Sequence, residues 1–138
     1  MLGEVDDAEL RSLYAAADVF LAPAIGCESF GAVLLEAMAA RRPIVASDID
    51  GYREVVRAGV DALVVRARDT EALADGVTHI LDDPALAERL ASSARVRAQT
   101  FGWDIVTDAV EQAYRTAVAT PSRRHEGSIR TVAPGSAT

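Results

Sequence analysis

Three short apolar segments alternate with helical ones along the first half of the chain, and this alternation constrains the fold more than any other feature. The segments are DVFLAP, RPIVAS and DALVV. Each is too short for a core helix and typical of a strand buried on both faces, as in parallel sheets. Strands that alternate with helices predict an α/β fold, with a Rossmann-like parallel sheet and flanking helices. The segment LGEV at the start of the chain is read as the end of a further strand.

The segments between and after the strands carry helix start and stop signals. We expect Asp6 to cap a helix over DDAELRSLYAAA, and a second helix to run from about Phe30 to Ala40. Asp69 and Pro84 are expected to mark the starts of two later helices, and GYREVV a short one.

A last amphipathic helix is expected after Gly102. Its apolar residues recur at helical spacing, so Trp103 and Tyr114 are predicted to anchor the core. From residue 121 the chain has turn formers and almost nothing to bury, which predicts a disordered tail over 121–138 after one domain over 1–120.

Composition excludes several classes of function. The net charge of −7 argues against broad electrostatic binding to nucleic acid. One cysteine rules out an internal disulfide, so a reducing cytoplasm is the simplest location. No apolar run approaches the roughly 20 residues that a membrane helix needs. All fourteen basic residues are arginine, and there is no lysine.

The stretch ESFGAVLLE, residues 28–36, places one acid in the loop after the first strand and another in the following helix. The first amides of that helix lack partners within the helix and favour anions and hydroxyl oxygens. Gly31 would let a ligand approach the backbone closely. Glu28 can accept hydrogen bonds from sugar hydroxyls, and Glu36 from a ribose diol. Two acids at this spacing also occur by chance on helix surfaces.

A second loop, carrying Asp48, Asp50 and Gly51, follows RPIVAS. Loops at the carboxyl ends of parallel strands meet at one edge of the sheet, so both loops are expected to line the same site. Asp48-Ile49-Asp50 imitates a metal-binding Asp-x-Asp, but turn and capping chemistry is the favoured reading. Cys27 is read as a space-filling residue rather than a reactive one, and His79 as structural.

The stretch ESFGAVLLEAMAARRPIVASDIDGYREVV resembles the nucleotide-binding half of the retaining GT-B glycosyltransferases, the glycosyl transferases group 1. The acid–x7–acid spacing followed by EAMA, PIVAS and DG is characteristic of that group. Within it, the likeness is greatest to the phosphatidylinositol mannosyltransferases. It runs from about Gly3 to Tyr114 and includes the late FGW.

The resemblance implies transfer of a sugar with retention of configuration. Mannose from GDP-mannose is the favoured donor, and UDP- and ADP-sugars are the alternatives, because enzymes that use them share the acid pair. It implies that Glu28 contacts the donor sugar and takes part in catalysis, and that Glu36 binds the ribose hydroxyls. Phe30 and Gly31 would supply backbone amides near the sugar and phosphate, with Ser29 in the same loop. No metal ion or other cofactor is expected.

Two departures from that group bear on function. Its members have an acceptor-binding domain and further strands ahead of this region, with an arginine and a lysine that neutralise the donor phosphates; this chain has no lysine. We therefore expect a donor-binding part that is inactive alone and touches a membrane surface only through the missing half. In a full-length enzyme that surface is the inner face of the cytoplasmic membrane. A non-catalytic nucleotide-sugar-binding fragment and a truncated remnant are the alternatives. Arg41 stands where the group has glycine, which predicts a poorer helix cap or a shifted helix end.

Overall fold

The computed structural model describes residues 3–119, so the predicted tail over 121–138 lies outside the described residues. The elements, in chain order, are α1 Asp7–Ala16, β1 Phe20–Ala22, α2 Ala32–Ala39, β2 Ile44–Asp48, α3 Asp50–Arg53, β3 Leu63–Arg66, α4 Thr70–Asp82, α5 Pro84–Ala98, a 3-10 helix Gln99–Phe101 and α6 Trp103–Ala119.

The three strands form one parallel sheet in the order β1-β2-β3. Phe20 is opposite Ile44, and Val45 is opposite Leu63. The central strand β2 is buried from Ile44 to Ser47, as expected for a parallel strand covered on both faces. The predicted α/β class is confirmed.

Two apolar clusters lie on the two faces of the sheet. One joins Leu34 and Met38 of α2 to Ile44 and Ala46 of β2. The other joins Val45 of β2 to side chains of α4 and α5, namely Leu73, Ile80, Leu86 and Leu90. The alternation of β2 side chains between the two clusters is the period-two geometry of a strand. Both clusters fix where the loops at the carboxyl ends of the strands emerge.

The predicted helix starts are confirmed by their caps. The carboxylate of Asp6 accepts hydrogen bonds from the amides of Ala8 and Glu9, and that of Asp69 accepts one from Ala72. Pro84 occupies the first turn of α5, where its missing N–H has no intrahelical partner to lose.

Two predictions near the amino terminus are wrong or only partly right. Residues 3–5 are not in a strand, and Gly3 has a φ of 75°, outside the strand region. The strand β1 forms as predicted, but Leu21 is 42% exposed. Within residues 3–119 no strand pairs with the outer edge of β1, so β1 is an edge strand and its Leu21 side chain is incompletely covered.

The prediction that Trp103 and Tyr114 anchor the core is wrong. These side chains are 83% and 70% exposed, and no residue of α6 is buried. The helix forms with the predicted amphipathic pattern, and among the described elements its main neighbour is the 3-10 helix Gln99–Phe101. Its apolar face is therefore largely uncovered within residues 3–119.

Candidate functional site

The loop between β1 and α2 places Glu28 at the amino end of α2. Oε1 of Glu28 accepts a hydrogen bond from the amide of Gly31 at 3.3 Å, and the side chain is exposed. Gly31 begins the helix with a φ of 74°, which favours glycine. Oε1 of Glu28 is held by the backbone, whereas Oε2 has no hydrogen-bond partner among the described residues.

Gly31 also packs tightly, which the sequence did not indicate. A Cβ atom at this position would lie 2.7 Å from Cδ1 of Tyr52, so the space beside the glycine holds the Tyr52 ring rather than a ligand. Burial raises the pKa of Tyr52, and the nearby charge of Glu28 raises it further. Tyr52 of α3 thus connects the second loop to the start of α2.

The two loops meet at one edge of the sheet, as expected. Gly51 lies against the backbone of Glu28, close enough that any side chain at position 51 would clash with it. The two carboxylates just ahead of Gly51 both pair with Arg53, at 2.7 Å for Asp48 and 2.8 Å for Asp50. The hydrogen bond from Arg53 is the main reason that the pKa of Asp48 is lowered. These acids fix the start of α3, and no group of three potential metal-binding side chains occurs within residues 3–119.

The backbone amides at the start of α2 differ in whether they already have a hydrogen-bond acceptor. The amide of Gly31 is engaged by Glu28, whereas those of Phe30, Ala32 and Val33 have no acceptor in the described part of the chain. The Phe30 ring packs edge-on against Phe101, with centroids 5.9 Å apart. Ser29 is exposed in the same loop. The start of α2 therefore keeps several backbone donors free.

Glu36 lies in a different environment, about 7 Å further along α2 by helix geometry. It is exposed and lines a cleft of about 520 Å³ between α1 and α2. Other lining residues are Asp7, Leu10, Arg11, Tyr14 and Ala39. Glu28 is not among the lining residues, so the structure places the two acids at successive positions along one helix rather than in one cavity.

Sequence reasoning missed the residues that α1 contributes to this cleft. The hydroxyl of Tyr14 donates a hydrogen bond to Oε2 of Glu36 at 2.8 Å. Tyr14 falls on the same helical face as Leu10, and a phenol on that apolar face is the only sequence signal for a polar contact. Asp7 and Arg11 lie on the same side of α1, where their i, i+4 spacing could have been noticed.

Comparisons with known proteins bear on the family and the fold of this chain. A family model described as glycosyl transferases group 1 matches residues 1–97. The phosphatidyl-myo-inositol mannosyltransferase of Mycobacterium leprae is 41% identical over 122 residues, covering 88% of this chain and 33% of that protein. That of Mycobacterium tuberculosis H37Rv is 43% identical over 119 residues, covering 83% and 32%. The chain thus spans about a third of the length of these relatives.

Solved structures show the same architecture. A sucrose-phosphate synthase from Thermosynechococcus elongatus superimposes with a TM-score of 0.77 at 36% identity, over 86% of this chain and 30% of that one. The HepE protein of Anabaena, solved in complex with UDP-glucose, gives 0.66 at 28% identity, over 77% and 29%. Between residues 3 and 119, no helix has the length and apolar character to cross a membrane.

Proposed function

This chain belongs to the glycosyl transferases group 1 family, and from that membership we propose that it binds the nucleotide-sugar donor of a retaining mannosyltransferase. Two relatives that share 41% and 43% of its residues are named as mannosyltransferases. A structural neighbour at 28% identity was solved with a bound nucleotide-sugar. Because the chain spans a third of its relatives, donor binding is proposed for this part and sugar transfer for the whole enzyme.

The observation that carries the proposal is the cleft between α1 and α2, with Glu36 in its wall. Its volume of about 520 Å³ is of the size that binds small organic ligands, roughly 300–1,000 Å³. Leu10 and Ala39 give it an apolar surface on which a nucleobase can lie. The carboxylate of Glu36 accepts hydrogen bonds from the ribose hydroxyls.

Asp7 and Arg11 favour guanine as the base. Guanine has two acceptors, O6 and N7, which suit an arginine side chain. It also has N–H donors on its Watson–Crick edge, which suit a carboxylate. Neither Asp7 nor Arg11 has a side-chain hydrogen-bond partner within residues 3–119. Both are therefore available to a ligand, and we assign GDP-mannose as the donor.

The amino end of α2 receives the diphosphate and the sugar. The free amides of Phe30, Ala32 and Val33 donate to phosphate oxygens at the positive end of the helix dipole. The unpaired oxygen of Glu28 accepts a hydrogen bond from a sugar hydroxyl. In the proposed reaction the acceptor attacks the anomeric carbon on the face that the nucleotide leaves, and a phosphate oxygen takes the acceptor proton. No metal ion is needed for this route.

Calorimetry tests the proposal with four ligands: GDP-mannose, GDP, UDP-glucose and ADP-glucose. We expect the guanine ligands to bind most tightly. Glu36→Gln should weaken GDP and GDP-mannose alike, by about 10-fold or more for a charged hydrogen bond. Glu28→Gln should weaken GDP-mannose and leave GDP unchanged.

The matched control is Glu71→Gln on α4, which removes one exposed carboxylate far along the chain from either loop. It should leave both affinities unchanged. Failure of the unaltered chain to bind any of the four ligands would contradict the proposal. Equal losses on both guanine ligands for both site variants would contradict the division of roles between Glu28 and Glu36.

A further inference from the structure

One hydrogen bond joins the two helices that form the cleft. The Tyr14 hydroxyl on α1 reaches Oε2 of Glu36 on α2 at 2.8 Å, across 22 residues of sequence. Within the described part of the chain it is the only hydrogen bond to the Glu36 side chain. A glutamate side chain is otherwise free to adopt several rotamers on a helix surface and loses that freedom on binding. Here one partner holds the carboxylate before any ligand arrives.

Tyr14 is itself held in place. Its ring is half-buried and packs on Phe20 of β1, with centroids 5.5 Å apart and planes inclined by 36°. It also contacts the apolar cluster beneath α2. The position of its hydroxyl is therefore restricted by the packing of the Tyr14 ring on Phe20 and the apolar cluster.

The Glu36 carboxylate keeps free acceptor positions for a ligand. Oε2 accepts from Tyr14, whereas Oε1 has no partner among residues 3–119. An ionised carboxylate has several acceptor positions, so Oε1 and the remaining lone pair of Oε2 can take two adjacent hydroxyls. We propose that Tyr14 is a positioning residue that orients Glu36 toward the ribose diol and so makes the site discriminate between ribose and deoxyribose. This inference rests on the proposed function.

The hydroxyl keeps its proton under ordinary conditions. Burial raises the pKa of Tyr14, and the hydrogen bond to Glu36 and the charge of Glu36 raise it further. Tyr14 therefore stays a donor at pH values at which an exposed tyrosine begins to ionise, near pH ~10. Deprotonation of the Tyr14 hydroxyl therefore does not affect binding measurements at neutral pH.

The test is the ratio of affinities for GDP and 2′-deoxy-GDP, measured by calorimetry on the 138-residue chain. We expect the unaltered chain to prefer GDP by about 10-fold or more, as for the loss of one charged hydrogen bond. Tyr14→Phe should reduce that preference by about 3-fold or more, mainly by weakening GDP. Glu36→Gln should abolish it. Phenylalanine keeps the ring contact with Phe20, so thermal unfolding should show that the variant remains folded.

Tyr114→Phe is the matched control. It also removes one tyrosine hydroxyl, but from an exposed position on α6, and it should leave the ratio unchanged. If Tyr14→Phe weakens both ligands equally, the residue only packs and the inference is overturned. If Glu36→Gln leaves the ratio of GDP to 2′-deoxy-GDP affinities intact, or the unaltered chain shows no preference, the assignment of Glu36 to ribose is wrong. The inference about Tyr14 is then wrong as well. Both assignments are supported only if the preference is reduced in Tyr14→Phe and abolished in Glu36→Gln.

Discussion

The backbone of Gly51 lies directly against the carbonyl group of Glu28. A Cβ atom at position 51 would lie 2.8 Å from the carbonyl carbon of Glu28 and closer still to its oxygen. Real Cβ atoms do not approach a backbone atom so closely, and backbone yields less readily than a flexible side chain. The second loop therefore sets the position of the first, which carries the proposed sugar-binding acid.

Gly51→Ala should disturb both stability and the site. The added methyl must push the Glu28 loop away, and overpacking of this kind costs about 1–3 kcal/mol of unfolding free energy. Displacement of Glu28 should weaken GDP-mannose more than GDP, because Glu36 and its cleft are not part of the contact. Denaturant unfolding and calorimetry measure the two effects.

Gly59→Ala separates a loss of stability from a loss of site geometry. Gly59 has a φ of 72° and nothing within 4 Å of an added Cβ, so its cost is conformational, about 1 kcal/mol. Ligand affinities should be unchanged in this variant. Unaltered GDP-mannose binding by Gly51→Ala would show that the loop contact does not position Glu28.

The buried carboxylate of Asp61 links the segment after α3 to α5 through hydrogen bonds. Asp61 is fully buried and accepts hydrogen bonds from Nε and Nη2 of Arg57, at 2.7 and 2.8 Å, and from the Ser93 hydroxyl at 2.8 Å. Burial alone raises the pKa of Asp61, but the hydrogen bonds from Arg57 and Ser93 and the charge of Arg57 outweigh it, so the net pKa is lowered.

Asp61→Asn should lower the unfolding free energy at neutral pH by about 2–4 kcal/mol, because a buried amide would replace the anionic acceptor of Arg57 and Ser93 and bring its own N–H donors against theirs. The folded-state pKa of Asp61 is below its unfolded value of about 3.9. Its contribution is therefore complete above that pH and is lost as the pH falls through the folded-state pKa. The variant should show a shallower loss of stability than the unaltered chain below pH ~4. Denaturant unfolding across pH measures both.

Asp48→Asn is the control for this prediction. Asp48 pairs with Arg53 on the surface, where both side chains are largely exposed, and such exposed pairs contribute little to stability. If the two variants lose the same stability, burial of Asp61 does not carry the effect.

The fold could be predicted because its signals are local. The strand segments are short apolar runs between turn formers, and the caps at Asp6 and Asp69 lie within three residues of the amides they bind. The convergence of the loops at Glu28 and Gly51 followed from parallel topology alone. Each of these inferences needs only the chain near the residue or a general rule of sheet geometry.

The errors concern contacts between distant elements. The periodicity of α6 predicts a helix with one apolar face but not what covers that face, so Trp103 was wrongly placed in the core. The contact of Tyr14 with Glu36 spans 22 residues and depends on how α1 lies across α2. Likewise the tight fit of Gly31 depends on Tyr52 of another loop. No spacing within one segment encodes these relationships.

Arg41 shows how a predicted cap defect is accommodated. The carboxyl end of α2 keeps a Schellman arrangement, with the amide of Arg42 bonded to the carbonyl of Ala37 at 3.0 Å and that of Arg41 to Met38 at 3.0 Å. Arg41 itself adopts a φ of 56°, the conformation that glycine usually supplies. Its guanidinium binds Glu88 and Ser92 of α5. The helix end is therefore not shifted, but the residue is in a costly conformation.

Two substitutions at position 41 separate conformation from side-chain contacts. Arg41→Gly and Arg41→Ala both remove the contacts with α5, but only alanine keeps the strained φ. We expect the glycine variant to be more stable than the alanine variant by about 1 kcal/mol. Denaturant unfolding of the pair measures this difference directly. Equal stabilities would indicate that the helix end relaxes away from the left-handed conformation once the arginine is removed.

The exposed apolar face of α6 makes a spectroscopic prediction. Trp103 is the only tryptophan of the chain and is 83% exposed, and the apolar side chains nearest it along α6 are also exposed. Its fluorescence should be red-shifted and readily quenched by acrylamide at low protein concentration. Exposed apolar faces of this kind favour association, so the emission should shift to the blue as concentration rises, in parallel with the mass from analytical ultracentrifugation. Trp103→Glu should suppress that rise in mass. Arg115→Glu is the control on the same helix: it replaces one charged side chain by another, removes no apolar surface, and should leave the rise in mass unchanged. Blue-shifted, poorly quenched emission from a dilute monomer would show that other parts of the chain cover α6, contrary to the arrangement of residues 3–119.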